Sequence, residues 1–274
     1  MELIKYIILG IVQGITEPVP VSSSGHIMII KTLIERFSSD LKIDFTTFAV
    51  ITNAGSLLAI MIIFRKDIID LFKGFFGYIK TKEDKYKIDY KYSLLVVLAT
   101  IPAGIAGLIV TKLGLLDVLE ENIKFLGCML LLTALFLFMI KDFKGTKDKS
   151  NLKVKDALVV GLFQMVALIP GISRSGSTIV GGMFSGLKRE VAFTFSFILY
   201  IPISIATTAL GIKDLLESHL SATIWMYYIL GTIMAFIFTY IATKWFSKIV
   251  REGKLVYFSI YCLVVGLFVI LFLW

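Results

Sequence analysis

The sequence predicts an all-α integral membrane protein, with about six transmembrane helices plus two re-entrant helix–loop–helix hairpins in two inverted-topology repeats. Three observations predict it. The chain of 274 residues is 57% hydrophobic with a mean hydropathy of +0.88, more apolar surface than a soluble globular domain needs. Its apolar residues gather in runs of about 20, the length that crosses the hydrocarbon as a helix, without the short alternating segments of a barrel. Two further apolar regions are broken midway by Pro, Gly and Ser.

The six continuous runs are 45–64, 92–111, 123–140, 191–211, 223–243 and 255–274. Pro102 and Pro202 fall inside two of them and are expected to kink those spans. The 22 phenylalanines are expected mostly to face lipid. The broken regions are 7–30 and 157–187. Non-helical backbone at membrane depth survives only when buried in protein or facing a wet cavity, so both read as hairpins. The start of the chain could pass for a signal peptide. Glu2 offsets Lys5, however, and no small-x-small cleavage site follows, so it is expected to be retained.

Charge orients the chain. The formal net charge is +8, from 28 Lys+Arg and 20 Asp+Glu. In a soluble domain this would raise nucleic acid as a partner. Here the basic residues stand between apolar runs, so no nucleic acid is expected and the charge reads as topology. Segments 65–91, 141–155 and 244–254 carry eight, six and four Lys/Arg, against one each in 112–122 and 212–222. The positive-inside rule puts the first three in the cytoplasm, hairpin one starting and ending outside, and hairpin two starting and ending inside. Lys188, Arg189 and Glu190 then mark a cytoplasmic helix end. Cys128 and Cys262 lie in apolar runs without metal spacing and read as small hydrophobes. Asn53, inside the first span, is expected to hydrogen-bond across the bundle or line a cavity.

Sliding the chain by 151 residues sets Gly10 on Gly161, Gln13 on Gln164, Ser22 on Ser173, Ser24 on Ser175 and Gly25 on Gly176. Each half is a hairpin plus three spans. Three is odd, so the halves have opposite orientation, an inverted repeat whose working site lies near the midplane where broken helices meet. The chain reads as one polytopic domain over 1–274, with repeat one at about 1–140 and repeat two at about 155–274.

Within 7–30 the only ionisable groups are Glu17 and His26; within 157–187 the only one is Arg174. Charges at membrane depth are costly and usually mark function, although a structural ion cluster is the bland alternative. Their company favours function. Hairpin one offers Ser22, Ser23, Ser24 and Gly25; hairpin two offers Ser173, Arg174, Ser175, Gly176, Ser177 and Thr178. Serines in such turns are often only helix caps, but one cap needs one residue. A helix N-terminus seats anions, and an arginine fork suits phosphate oxygens. Two such turns face to face would cradle a phosphate group. Gln13 and Glu17, four apart, share a helix face and could hold Mg²⁺ or Ca²⁺ through oxygen. Glu17 could instead serve as base for a serine, and His26 as acid, base or nucleophile.

The stretches GIVQGITEPVPVSSSGH and PGISRSGSTI together resemble the two signature motifs of the bacitracin-resistance family of undecaprenyl-diphosphate phosphatases, and the hydropathy layout matches along the whole chain. The resemblance implies a multi-pass enzyme of the bacterial cell membrane that hydrolyses undecaprenyl diphosphate to undecaprenyl phosphate, recycling the lipid carrier of cell-wall synthesis and conferring bacitracin resistance. It implies a divalent cation, interlocked inverted repeats and a site opening to the outer face. By residue it carries over Gln13 and Glu17, with Ser23 or its neighbours and His26, from the first motif, and Ser173, Arg174, Ser175 and Thr178 from the second. Many members have Glu where this chain has Gln13, which places the main carboxylate role on Glu17. The second histidine used by phosphatidate-phosphatase types is absent: six residues after Arg174 stands Val180, and His219 falls in an expected external loop.

The expected site therefore has Glu17, Ser23, His26 and Arg174 as catalytic groups. Ser22, Ser24, Gly25, Ser173, Arg174, Ser175, Gly176 and Thr178 bind phosphate, and Glu17 with Gln13 binds a cation. The alternative is a polyprenyl-phosphate transporter or flippase on the same inverted-repeat scaffold. Membrane lipids are expected partners, and a homodimer is compatible with the chain.

Overall fold

The computed structural model describes residues 2–37, 43–114, 122–217 and 221–273. Among them there is no strand, only an isolated bridge between Lys147 and Leu187. The helices are α1 (Glu2–Thr16), α2 (Ser23–Phe37), α3 (Phe45–Ile63), α4 (Arg65–Thr81), α5 (Asp84–Lys112), α6 (Ile123–Met139), α7 (Val154–Val166), α8 (Arg174–Phe184), α9 (Arg189–Glu217), α10 (Ala222–Arg251) and α11 (Val256–Phe272). A 3₁₀ turn, Lys149–Asn151, precedes α7. Helix α5, the Arg189–Gly211 part of α9, and α10 are each long and apolar enough to cross a membrane. Helices α6 and α11 are shorter apolar helices. The protein is an all-α, multi-pass membrane protein.

Segment 65–91 corrects the sequence reading. It is not a loop but α4 followed by the first turns of α5. Helix α4 bends 73° away from α3 and packs on α5. Its lysines alternate with Ile68, Leu71 and Phe75, and counting charge alone hid this amphipathic pattern. In the same way α10 runs on to Arg251, through most of the basic segment 244–254. Part of the other expected loop, including His219, lies outside the described residues.

Both sequence breaks are real. Helix α1 stops at Thr16, because Pro18 and Pro20 lack N–H donors and push their predecessors out of the helical region. Helix α7 stops at Val166, ahead of Pro170 and Gly171. The first helix of each pair then packs on a helix from the other half of the chain: α1 on α10, and α7 on α5. Small residues permit the approach. A Cβ at Gly10 would stand 2.3 Å from the Gly231 carbonyl oxygen, and one at Gly161 would stand 2.6 Å from that of Ala99.

The largest core cluster joins helices α3 and α5 through α11 with Val19 and Val21 of the first turn. It revises the reading of phenylalanine as lipid-facing. Phe64, Phe193, Phe195, Phe197, Phe246 and Phe258 are buried in it, whereas Phe72, Phe76, Phe268 and Phe272 are exposed. Residue type alone does not say which face of a helix meets another helix. Cys128 is exposed and Cys262 is buried; both are free.

Candidate active site

The two turns meet, and each is built by its own sequence. In the first, Glu17 closes α1 by donating its amide to Gln13 O at 2.9 Å. The chain then runs through the prolines to Ser22, which takes the left-handed conformation at φ 69°. In the second, Ile169-Pro170-Gly171-Ile172 is a β-turn. Ile172 N donates to Ile169 O at 3.1 Å, and Gly171 has φ 92°, as a type II turn requires after proline. A Cβ at Gly171 would also strike Leu126 O at 2.8 Å. Thr133 of α6 braces this turn: its hydroxyl donates to Gly171 O and accepts from Ser173 N, at 3.2 and 3.1 Å.

Matching serines cap the helices that follow. Gly25 N donates to Ser22 Oγ at 3.3 Å, and Gly176 N donates to Ser173 Oγ at 3.2 Å. Each cap satisfies one first-turn amide. The amides of Ser23, Ser24, Arg174 and Ser175 have no intrahelical partner there. The turns are pinned together by Ser175 Oγ donating to Val19 O at 3.2 Å. A Cβ on Gly176 would lie 3.2 Å from Pro20 Cβ.

Glu17 sits at the centre. Arg174 Nη2 donates to its Oε1 at 2.5 Å; Ser23 Oγ and Gln13 Nε2 donate to its Oε2 at 2.5 and 2.9 Å. The Glu17 side chain is 7% exposed and that of Arg174 is 23% exposed. The pair lines a cavity of about 90 Å³ with Ser22, Ser23, Ser24, Ser173 and Ser175. A wider cavity of about 280 Å³ continues from it past Gln13 and Asn53 to Ser204 and Thr207.

The structure thus brings Gln13, Glu17, Ser22, Ser23, Ser24, Ser173, Arg174 and Ser175 to these cavities, and sorts them. Ser22 and Ser173 are caps, Ser24 is on the exposed rim, and Ser23 alone of the three neighbours holds the carboxylate. Gly25 and Gly176 contribute the capped amides. Thr178 lies beneath, donating to Arg174 O at 2.9 Å and accepting from the Ser196 hydroxyl at 2.5 Å. His26 stands apart. Its Nδ1 lies 2.8 Å from Ser22 O and its Nε2 lies 2.7 Å from Tyr261 OH. The carbonyl can only accept, so Nδ1 carries the proton and the Tyr261 hydroxyl donates to Nε2. The ring also stacks on Tyr261. The structure packs the His26 ring of α2 against Tyr261 of α11, and His26 does not line either cavity.

Sequence reasoning missed Tyr200, whose ring lies 3.9 Å beneath the Arg174 guanidinium carbon. Its hydroxyl donates to Asn53 Oδ1 at 2.7 Å, so Asn53 both crosses the bundle and lines the wider cavity. Tyr200 stands in the run FSFILYIP, where nothing separates it from a lipid-facing aromatic.

Among the described residues no group of three or more His, Cys, Asp or Glu could hold a metal. The cavity offers one carboxylate, already shared by Arg174, Ser23 and Gln13, plus the Gln13 amide oxygen and hydroxyls. That set is too poor for an all-protein cage. It fits a Mg²⁺-like cation that takes one carboxylate and completes its shell with water and substrate phosphates.

The family model described as "Bacitracin resistance protein BacA" matches residues 6–268. The chain is 43% identical over 271 residues to undecaprenyl-diphosphatase 2 of Bacillus thuringiensis, covering 99% of this chain and 98% of the relative. It is 42% identical over 272 residues to the undecaprenyl-diphosphatase of Oceanobacillus iheyensis, covering 99% and 97%. It is 41% identical over 272 residues to undecaprenyl-diphosphatase 1 of Bacillus licheniformis, covering 99% and 98%. Two turns of the signature composition, a family model spanning nearly all the chain and relatives alike over their full length agree: this chain belongs to the bacitracin resistance protein BacA family.

Proposed function

We propose that the protein hydrolyses undecaprenyl diphosphate to undecaprenyl phosphate and inorganic phosphate, and so recycles the lipid carrier of cell-wall synthesis. Full-length likeness to relatives named undecaprenyl-diphosphatase supports the reaction. The Ser23–Glu17–Arg174 arrangement carries the mechanism.

The diphosphate enters the cavity between the turns, while the polyprenyl tail leaves along the wider cavity between α3 and α9. Phosphate oxygens meet the Arg174 fork and the first-turn amides of α2 and α8. These groups are fixed before substrate arrives, which is the condition for electrostatic catalysis. Ser23 Oγ attacks the terminal phosphorus and its proton passes to Glu17 Oε2. The bond from that phosphorus to the bridging oxygen breaks, and undecaprenyl phosphate leaves with the bond's electrons. Glu17 passes that proton to the departing phosphate oxygen, then takes a proton from the water that cleaves phosphoserine and hands it to Ser23 Oγ as inorganic phosphate leaves. Tyr200 supports the guanidinium plane from below. His26 holds the Ser22 carbonyl and fixes the start of α2. Glu17 and the Gln13 carbonyl would hold a divalent cation jointly with the diphosphate, and that ion supplies charge neutralisation.

The same reading makes the two halves inverted repeats, with both broken pairs re-entrant hairpins and the cavity open to the outer face. Support comes from the loop charges and from the exchange of α1 and α7 onto helices of the opposite half. The test is phosphate release from undecaprenyl diphosphate by purified protein in detergent, with Mg²⁺, with Ca²⁺ and with chelator. Cation-dependent release is expected. Folded, lipid-binding protein without release would favour transport, because detergent abolishes any gradient but not hydrolysis.

A further inference from the structure

A further cavity lies elsewhere. It measures about 480 Å³ and is lined by Phe64, Asp67, Glu190, Phe193, Lys244, Lys248 and Arg251, among others. It shares no residue with the cavities around Glu17. The small space around Tyr200 ends at Ile60, Ser196 and Phe197, and the large one begins a turn further on at Ile63 and Phe193. Between them Phe64 stacks on Phe197 with ring centres 5.2 Å apart, and Phe193 meets Phe197 at 4.6 Å. These rings form a dry wall between two separate sites.

The lining has two characters. Lys244, Lys248 and Arg251 fall at i, i+4 and i+7, so they share one face of α10. Thr194, Thr243 and Ser247 add hydroxyls beside them. Against three cations stand two acids, Asp67 and Glu190, leaving the cavity net positive. Glu190 meets Arg251 at 3.8 Å, a loose exposed pair. Lys244 lies over the Tyr240 ring at 4.2 Å. The Lys248 ammonium makes no direct hydrogen bond or ion pair among the described residues and feels only the nearby Glu252 carboxylate. Beneath these charges the floor is apolar: Ile63, Phe64, Phe193 and Val250. A basic pocket between membrane helices, at the end where Lys and Arg concentrate, is the place where anionic headgroups bind.

We propose that this cavity binds the phosphate-bearing headgroup of an anionic phospholipid, with the phosphate on Lys248 and Arg251 and the glycerol region over the aromatic floor. The bare floor selects a lipid over free phosphate, which would have nothing to place there.

Native mass spectrometry of the full chain in detergent tests this, with dioleoyl-phosphatidylglycerol, dioleoylglycerol and inorganic phosphate as probes. Phosphatidylglycerol should be retained and dioleoylglycerol lost. Lys248→Ala should weaken retention about fivefold, and Lys248→Ala with Arg251→Ala more. Lys85→Ala with Lys87→Ala, on exposed residues of α5, should leave it unchanged. Lys248 is exposed and makes no direct ion pair among the described residues, so its replacement keeps the fold. Turnover should stay within about twofold, because none of these residues lines the Glu17 cavity. Equal retention by all variants, or equal loss in the α5 variant, overturns the proposal. So does retention of inorganic phosphate without preference for the lipid. The readout is binding, so it stands or falls separately from the phosphatase reading.

Discussion

The turn after α1 and the turn after α7 share a frame and differ in what they carry. In both, a serine caps the next helix through the amide three residues on, at 3.3 and 3.2 Å. In both, that serine lies near a second serine hydroxyl, at 3.5 and 3.3 Å. The side chains then diverge. The residue after the cap is Ser23 in one and Arg174 in the other. The acid Glu17 is matched by Leu168, and this leaves a trace. Gln13 donates its amide to Glu17, whereas both amide atoms of its counterpart Gln164 are buried without a hydrogen-bond partner among the described residues. One backbone device is used twice, and the polar groups are divided: the acid and its serine on one turn, the cation on the other. They act together only because the turns touch.

The sharpest way to break this comparison is to empty either turn of its charge. Glu17→Ala and Arg174→Ala should each lower phosphate release about 10²- to 10³-fold. The double variant should lose little more than either single one, because each removal disables the same unit. Each single change also strands a largely buried charge, a loss of about 3–5 kcal/mol in folded stability, so thermal midpoints belong beside the rates. Arg174→Lys should stay impaired, since a point charge cannot replace a planar fork stacked on Tyr200. An Arg174→Ala protein with more than a tenth of normal turnover would show that the second turn is structural only.

The next test works within one turn. Ser23→Ala should cost at least about 100-fold in turnover, and Ser24→Ala less than tenfold. The two differ by one position, yet only Ser23 touches Glu17. Comparable losses from both would move the chemistry off Ser23.

This serine also marks how far the sequence could be read. Breaks at Pro18 and Pro170, the isolated charges and the serine clusters were all legible, because ionisable and helix-breaking residues are conspicuous against lipid-soluble sequence. The ranking of Ser22, Ser23 and Ser24 was not, since it depends on the left-handed turn at Ser22 and on where Glu17 ends up after two prolines. Tyr200 and Thr133 were invisible for a related reason. Each is an ordinary residue of an apolar run, and only the packing of α8 against α9 and α6 puts it under Arg174 or behind Gly171. His26 was legible as unusual but not as a ligand of Tyr261, 235 residues away.

A smaller effect probes the exchange of helices between halves. Gly10→Val and Gly161→Val should each cost about 1–3 kcal/mol by overpacking against a neighbouring backbone, read from thermal midpoints in detergent. Their costs should be alike, because both meet a carbonyl oxygen inside contact distance. A cost at only one of the two would mean that the two crossings are unequal.

The smallest effect separates the two caps. Ser22 has φ 69°, and Ser173 has φ −72° with ψ 120°. Glycine in place of a serine cap ordinarily costs a few tenths of a kcal/mol. At Ser173 nothing offsets that loss, so Ser173→Gly should lower the thermal midpoint slightly. At Ser22 the same loss is opposed by relief of a left-handed backbone, which costs an ordinary residue about 1–2 kcal/mol. Ser22→Gly should therefore leave stability unchanged or raise it. Ser22→Ala should lower it, because alanine keeps the strain and removes the cap. If Ser22→Gly and Ser173→Gly shift the midpoint equally, the two turns do not differ in backbone strain. The asymmetry between them would then lie wholly in Glu17, Ser23 and Arg174.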